Sequence, residues 1–86
     1  MSRKVLIVED EEDIAAAMGD RLESWGFDTT LAYSGQAGID LLIDTWPDLV
    51  LLDIRLPDRD GLCVLAEMRE KTVAIPIIVV SASHGP

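Results

Sequence analysis

Short runs of apolar, largely β-branched residues alternate along this chain with stretches in which apolar residues recur every three or four positions, and that alternation restricts the fold more than any other feature. Lys4 to Val8 gives VLIV after one basic residue, Leu49 to Leu52 an unbroken run ending in Asp53, and Ile75 to Val80 the run IPIIVV. Continuous runs of this length suit strands covered on both faces, the kind found inside parallel sheets. Phe27 to Tyr33 (FDTTLAY) mixes polar and apolar positions and reads as an outer strand with one drier face. Pro76 is tolerable only near the start of its strand, since it has no N–H for the ladder.

Between these runs the period changes. Ile14, Met18, Leu22 and Trp25 lie at spacings of four, four and three, forming one stripe of an amphipathic helix that Gly26 stops. A stripe at helical spacing is core far more often than a cofactor box, so Met18 and Trp25 are expected inside. Ser34 is a helix N-cap, followed by Ala37, Leu41, Leu42 and Trp46 on one side until Pro47 ends the helix. A third helix follows the Pro and Gly loop 54–61, with Leu62, Leu65 and Met68 inward and Glu67, Arg69, Glu70 and Lys71 outward. Four strands alternating with three helices make successive βαβ units, a parallel sheet and right-handed crossovers.

Composition bounds what such a domain can do. At 86 residues, 49% hydrophobic and 27% charged, the chain makes one small globular domain. Sixteen acids against seven bases give a net charge of -9, the opposite of a nucleic-acid footprint, so cations or basic surfaces are the expected partners. The single Cys63 cannot form an internal disulfide and is expected to be an unreactive packing or surface thiol; His84 reads as an ordinary exposed residue. No amino-terminal apolar segment has the length of a signal peptide or membrane span, and a cytoplasmic location is the expectation.

The chemistry is expected where the strands end, since in open α/β sheets ligands bind outside their carboxyl ends. The first strand ends in Glu9, Asp10, Glu11, Glu12 and Asp13. Acids there either complement the positive end of a helix dipole or chelate a cation; Glu11, Glu12 and Asp13 fit the first role, while Glu9 and Asp10 share the rim with Asp53. Three carboxylates on one rim repel unless a cation offsets them, and hard oxygen ligands suit Mg²⁺, with Mn²⁺ as a substitute. Because Mg²⁺ takes one or two carboxylates together with phosphate oxygens, the pattern looks built to share its ion with a phosphoryl group, which the hydroxyl of Ser81 could then bond.

The segments VLIVEDE, SGQAGIDLL, PDLVLLDIRLPDRDGL and IPIIVVSA, in that order and over essentially all of residues 1–86, resemble the receiver domain of two-component response regulators. The resemblance implies a flavodoxin-like doubly wound sheet of order 2-1-3-4. It implies that Asp53 is the phosphoacceptor, that Glu9 and Asp10 bind Mg²⁺ together with Asp53, and that the backbone carbonyl of Arg55 supplies another metal contact. Ser81 becomes the switch hydroxyl, and Pro57 and Gly61 shape the loop after the acceptor. The donor implied is the phosphohistidine of a sensor histidine kinase or phosphotransfer protein. Receivers are not conventional enzymes but catalyse their own phosphorylation and dephosphorylation. Glu9 departs from the pair of aspartates common in the family and lengthens one ligand arm.

The family's fold also has a fifth strand and two further helices, carrying a Lys that contacts the phosphoryl group and an aromatic switch residue. This sequence stops after the fourth strand, and Lys4 and Lys71 lie in the wrong elements to replace that Lys. The expectation is therefore an incomplete receiver, a fragment of a longer regulator or a chain that associates or swaps through its fourth strand. A phosphorylation-independent interaction module is the alternative, distinguished by whether Asp53→Asn abolishes a Mg²⁺-dependent mass gain with acetyl phosphate. A phosphatase of the haloacid dehalogenase type needs a second Asp two residues after the first, where Arg55 stands, and no Gly-x-Gly-x-x-Gly follows the first strand to hold a dinucleotide.

Overall fold

The computed structural model describes residues 2–80. Four strands, β1 (Lys4–Val8), β2 (Asp28–Ala32), β3 (Leu49–Asp53) and β4 (Ile77–Val80), alternate with three helices, α1 (Glu12–Ser24), α2 (Gly35–Thr45) and α3 (Gly61–Lys71). All pairings are parallel and the order is β2-β1-β3-β4, the doubly wound arrangement expected from the sequence. Between β1 and β3 the direction of winding reverses. Val8 lies opposite Leu52 there, so the residues that follow β1 come level with Asp53.

Of the runs that lack polar alternation, those of β1 and β3 are largely buried, whereas that of β4, expected to be covered on both faces as well, leaves Ile78 51% and Val79 40% exposed at the outer edge of the described sheet. Leu6, Val8, Val50 and Leu52 are buried against Ile39 and Leu42 of α2 and Val64 and Met68 of α3, while Val5 and Ile7, of opposite parity, are buried as well. The mixed run FDTTLAY forms the outer strand β2, where only Ala32 is fully buried. Pro76 precedes β4, and its carbonyl accepts from the Val50 N–H at 3.0 Å, so the missing donor falls outside the ladder.

Each helix buries a somewhat different stripe from the one its large apolar residues suggest. In α1 the fully buried positions are Ala15 and Gly19, small residues that let the helix approach the sheet, with Ile14, Met18 and Leu22 half-buried beside them. Trp25, expected in the core, is 65% exposed because it is the C-cap and has left helical geometry. Trp46 is 54% exposed for the same reason: as the C-cap of α2 it turns left-handed, with φ of 47°. In α3 the inward positions are Gly61, Val64 and Met68, and Leu62 is 60% exposed. Ser34 caps α2 as expected, its hydroxyl accepting from the Ala37 N–H at 3.1 Å.

Two glycines allow close approaches that a side chain would forbid. A Cβ on Gly38 would lie 2.8 Å from a Val8 methyl, so its absence lets α2 settle onto β1. A Cβ on Gly61 would lie 2.2 Å from the Ile54 Cα, and backbone cannot swing aside as a side-chain tip can. Gly61 therefore lets the chain return onto the end of β3, where its N–H donates to the Ile54 carbonyl at 3.0 Å.

Candidate functional site: an acidic pocket at the strand tips

Strand topology brings Glu9, Asp10 and Asp53 together. One carboxylate oxygen from each can be chosen so that all three lie within 4.8 Å of one another. Asp53, the last residue of β3, and Glu9, the first after β1, are each only 4% exposed, and Asp10 is half-buried. The Glu9 N–H donates to the Ala32 carbonyl at 2.9 Å, carrying the β1–β2 pairing one residue past the strand and fixing where the Glu9 side chain leaves the backbone.

Two backbone amides hold the carboxylates in place. The Glu11 N–H donates to Glu9 Oε2 at 3.0 Å, and the Arg55 N–H donates to Asp53 Oδ1 at 3.0 Å. No side-chain cation within salt-bridge distance of these acids is present among the described residues; the ion pair found there joins Arg59 to Glu67. Burial first, then the Asp53 charge and hydrogen bonds to Asp10 and Asp53, push the Glu9 carboxyl up from 4.5 to about 7, against the opposing bond from the Glu11 N–H.

The donor set fits a hard divalent cation. Three carboxylates supply oxygen ligands only, as Mg²⁺ and Mn²⁺ prefer, and the cluster carries more negative charge than it can hold unprotonated near neutral pH. Glu9, Asp10 and Asp53 are the residues placed to share such an ion. Glu11 is the N-cap of α1, and Glu12 and Asp13 lie exposed in its first turn, the dipole-favoured role assigned to them from sequence. Arg55 follows Asp53 at the start of the loop, and Ser81 falls outside the described residues. A groove of about 350 Å³ lined by Ala17, Met18, Arg21, Leu22 and Leu51 contains none of the acids.

Sequence reasoning gave no role to Asp58 and Arg59 in the loop after β3, yet the Asp58 carboxylate accepts from two α2 amides, Gly35 N–H at 2.8 Å and Gln36 N–H at 3.1 Å. The signal was faint: an acid between Pro57 and Gly61, with no partner nearby in sequence.

The model of the response regulator receiver domain matches residues 5–86. The chain belongs to that family. Solved receiver structures match closely in shape. A CheY-like receiver domain protein from Methanospirillum hungatei aligns with a TM-score of 0.93 at 25% identity, over 99% of this chain and 68% of that one. The receiver domain of Francisella response regulator 1452 aligns with a TM-score of 0.88 at 30% identity, over 98% and 69%. The BeF3-activated N-terminal receiver domain of RstA from Klebsiella pneumoniae gives 0.88 at 27%, over 95% and 69%. This receiver chain spans 58% to 69% of the lengths of the solved chains it matches. No helix among its described residues is long and apolar enough to cross a membrane.

Proposed function

We propose that this receiver accepts a phosphoryl group on Asp53 in a reaction that requires Mg²⁺, and that the modified state controls an output. The observation that carries this reading is the meeting of Glu9, Asp10 and Asp53 within 4.8 Å at the tips of two adjacent strands. Phosphoryl transfer asks little covalent help of a protein beyond an in-line nucleophile and positive charge on the equatorial oxygens. Asp53 provides the nucleophile, one carboxylate oxygen being held by the Arg55 N–H. Glu9, Asp10 and Asp53 would hold the divalent ion, which would supply the positive charge that a dianionic group needs among carboxylates. With a phosphohistidine donor, the P–N bond breaks as a bond forms between phosphorus and an Asp53 oxygen, and the imidazole nitrogen keeps the electron pair. The product is a mixed anhydride. The Arg55 carbonyl as a further ion ligand and Ser81 as the hydroxyl that meets the phosphoryl group belong to the same proposal, as does a sensor kinase or phosphotransfer protein as donor.

The test is incubation with acetyl phosphate and Mg²⁺, read by intact mass. A gain of one phosphoryl group that disappears with chelator, and in Asp53→Asn, is the expected result. A gain that survives in Asp53→Asn moves the acceptor elsewhere. No gain in folded, Mg²⁺-saturated protein leaves a module that binds partners without phosphorylation.

Self-association through β4 is a second reading, favoured by one observation. Among the described residues β4 pairs only with β3, and its Ile78 is 51% exposed. An open, apolar edge is a template for another strand. Light scattering is expected to show a mass that rises with concentration and falls back in Ile78→Lys; a single monomeric mass throughout would remove this reading.

A further inference from the structure

Three consecutive residues of the loop after β3 bind, between them, the two helices α2 and α3. Asp60 caps α3, its Oδ1 accepting from the Leu62 N–H at 2.9 Å. Arg59 donates to Gln36 Oε1 at 3.3 Å and pairs with Glu67 of α3. Asp58 spends both carboxylate oxygens on the first two amides of α2. At its base the loop closes on itself, through the Gly61 N–H on the Ile54 carbonyl and an antiparallel bridge between Arg55 and Asp60. Only Leu56 and Pro57 separate Arg55 from Asp58. Leu56 packs against the core and the proline ring fixes its own φ, so few soft torsions remain to absorb movement of the loop tip.

We propose that Asp58 and Arg59 are positioning residues, which tie the loop to the first turn of α2 and thereby hold the Arg55 N–H against the Asp53 carboxylate. The inference rests on the reading of Asp53 as phosphoacceptor for its functional consequence, though not for its geometry. The Asp58 bond is charge-assisted and bidentate, and the helix dipole favours an anion at that end. If the tie is cut, the peptide group oriented on Asp53 loses its outer support. A misplacement on the order of 1 Å at a reacting group is enough to slow a reaction about a hundredfold.

The experiment separates this role from simple helix capping. Ser34→Ala removes the other cap of α2 without touching the loop, and serves as the control for lost helix stability. In ¹⁵N-labelled protein, Asp58→Ala is expected to shift the Arg55 amide resonance and to speed its exchange by more than the global loss of stability explains. Ser34→Ala should leave that resonance in place. Asp58→Asn, which keeps one accepting oxygen, should fall between. Arg59→Ala cuts the other half of the tie, and decides the matter if Asp58→Ala does not fold. Labelling by acetyl phosphate should fall about tenfold or more in Asp58→Ala and little in Ser34→Ala. Equal effects of the two variants on the Arg55 amide, or none from either loop variant, would overturn the proposal. Wild-type protein that takes no label would count against the phosphoacceptor reading, while the amide measurement still decides this one.

Discussion

Burial and the Asp53 charge hold the Glu9 carboxyl near 7 rather than 4.5, and Asp10 and Asp53 are the titratable groups that face it. Between those two values the folded state binds a proton that the unfolded chain has released, so metal-free protein should lose stability as pH rises from 4.5 to about 7. Urea titrations across that window should show the decline in wild type and its near absence in Glu9→Gln. Mg²⁺ affinity should run the other way, rising with pH and levelling off above about 7, because the ion competes with the proton; calorimetry measures it directly. Gly61→Ala should destabilise by about 1–3 kcal/mol or more in urea, because the added methyl meets the Ile54 backbone. The identities of Glu9, Asp10 and Asp53 were legible in the sequence, since each ends or follows an apolar run. The raised pKa of Glu9 was not, because it depends on burial and on a neighbour 44 positions away.

Elements were legible in kind and order, and less so in orientation. Helical spacing marked α3 and placed Met68 inward, but two stripes one residue apart fit the same letters, and Leu62 with Leu65 looked as apolar as Val64. Capping by Asp60 and the close return at Gly61 decide between them by setting where the first turn starts. Met68→Ala should therefore cost about 2–5 kcal/mol, and Leu62→Ala much less, in matched denaturant titrations. The link between α2 and the loop has its own pH signature. The Gly35 N–H, followed by the Gln36 N–H and the Arg59 charge, holds the Asp58 carboxyl below its ordinary 3.8. Its contribution is complete above that value and is lost as pH falls through the lower, folded one, so wild type should shed stability faster than Asp58→Asn in acid.

At the scale of the whole molecule, the reversal of winding between β1 and β3 assembles the site from residues 9, 10 and 53. Alternating runs and helices made the parallel sheet legible, whereas its order came only with the resemblance to receiver domains, since crossover handedness alone is compatible with several orders. A chain of charge -9 is stabilised to some degree by any salt. Mg²⁺ should nevertheless raise the thermal midpoint beyond NaCl of equal ionic strength, by the equivalent of about 2.7 kcal/mol at a hundred times Kd. Asp53→Asn or Asp10→Asn should remove most of the excess. Trp25 and Trp46, both solvent-facing, sit where α1 and α2 end, beside the amino edge of the sheet: the Asp28 N–H reaches the Arg3 carbonyl and the Asp48 N–H that of Lys4. A five-residue strand, about 16 Å long, separates that edge from Asp53. Indole emission from this protein will accordingly stay nearly silent when the acidic pocket fills, so a dye or an isotope placed at the opposite rim is needed to watch occupancy.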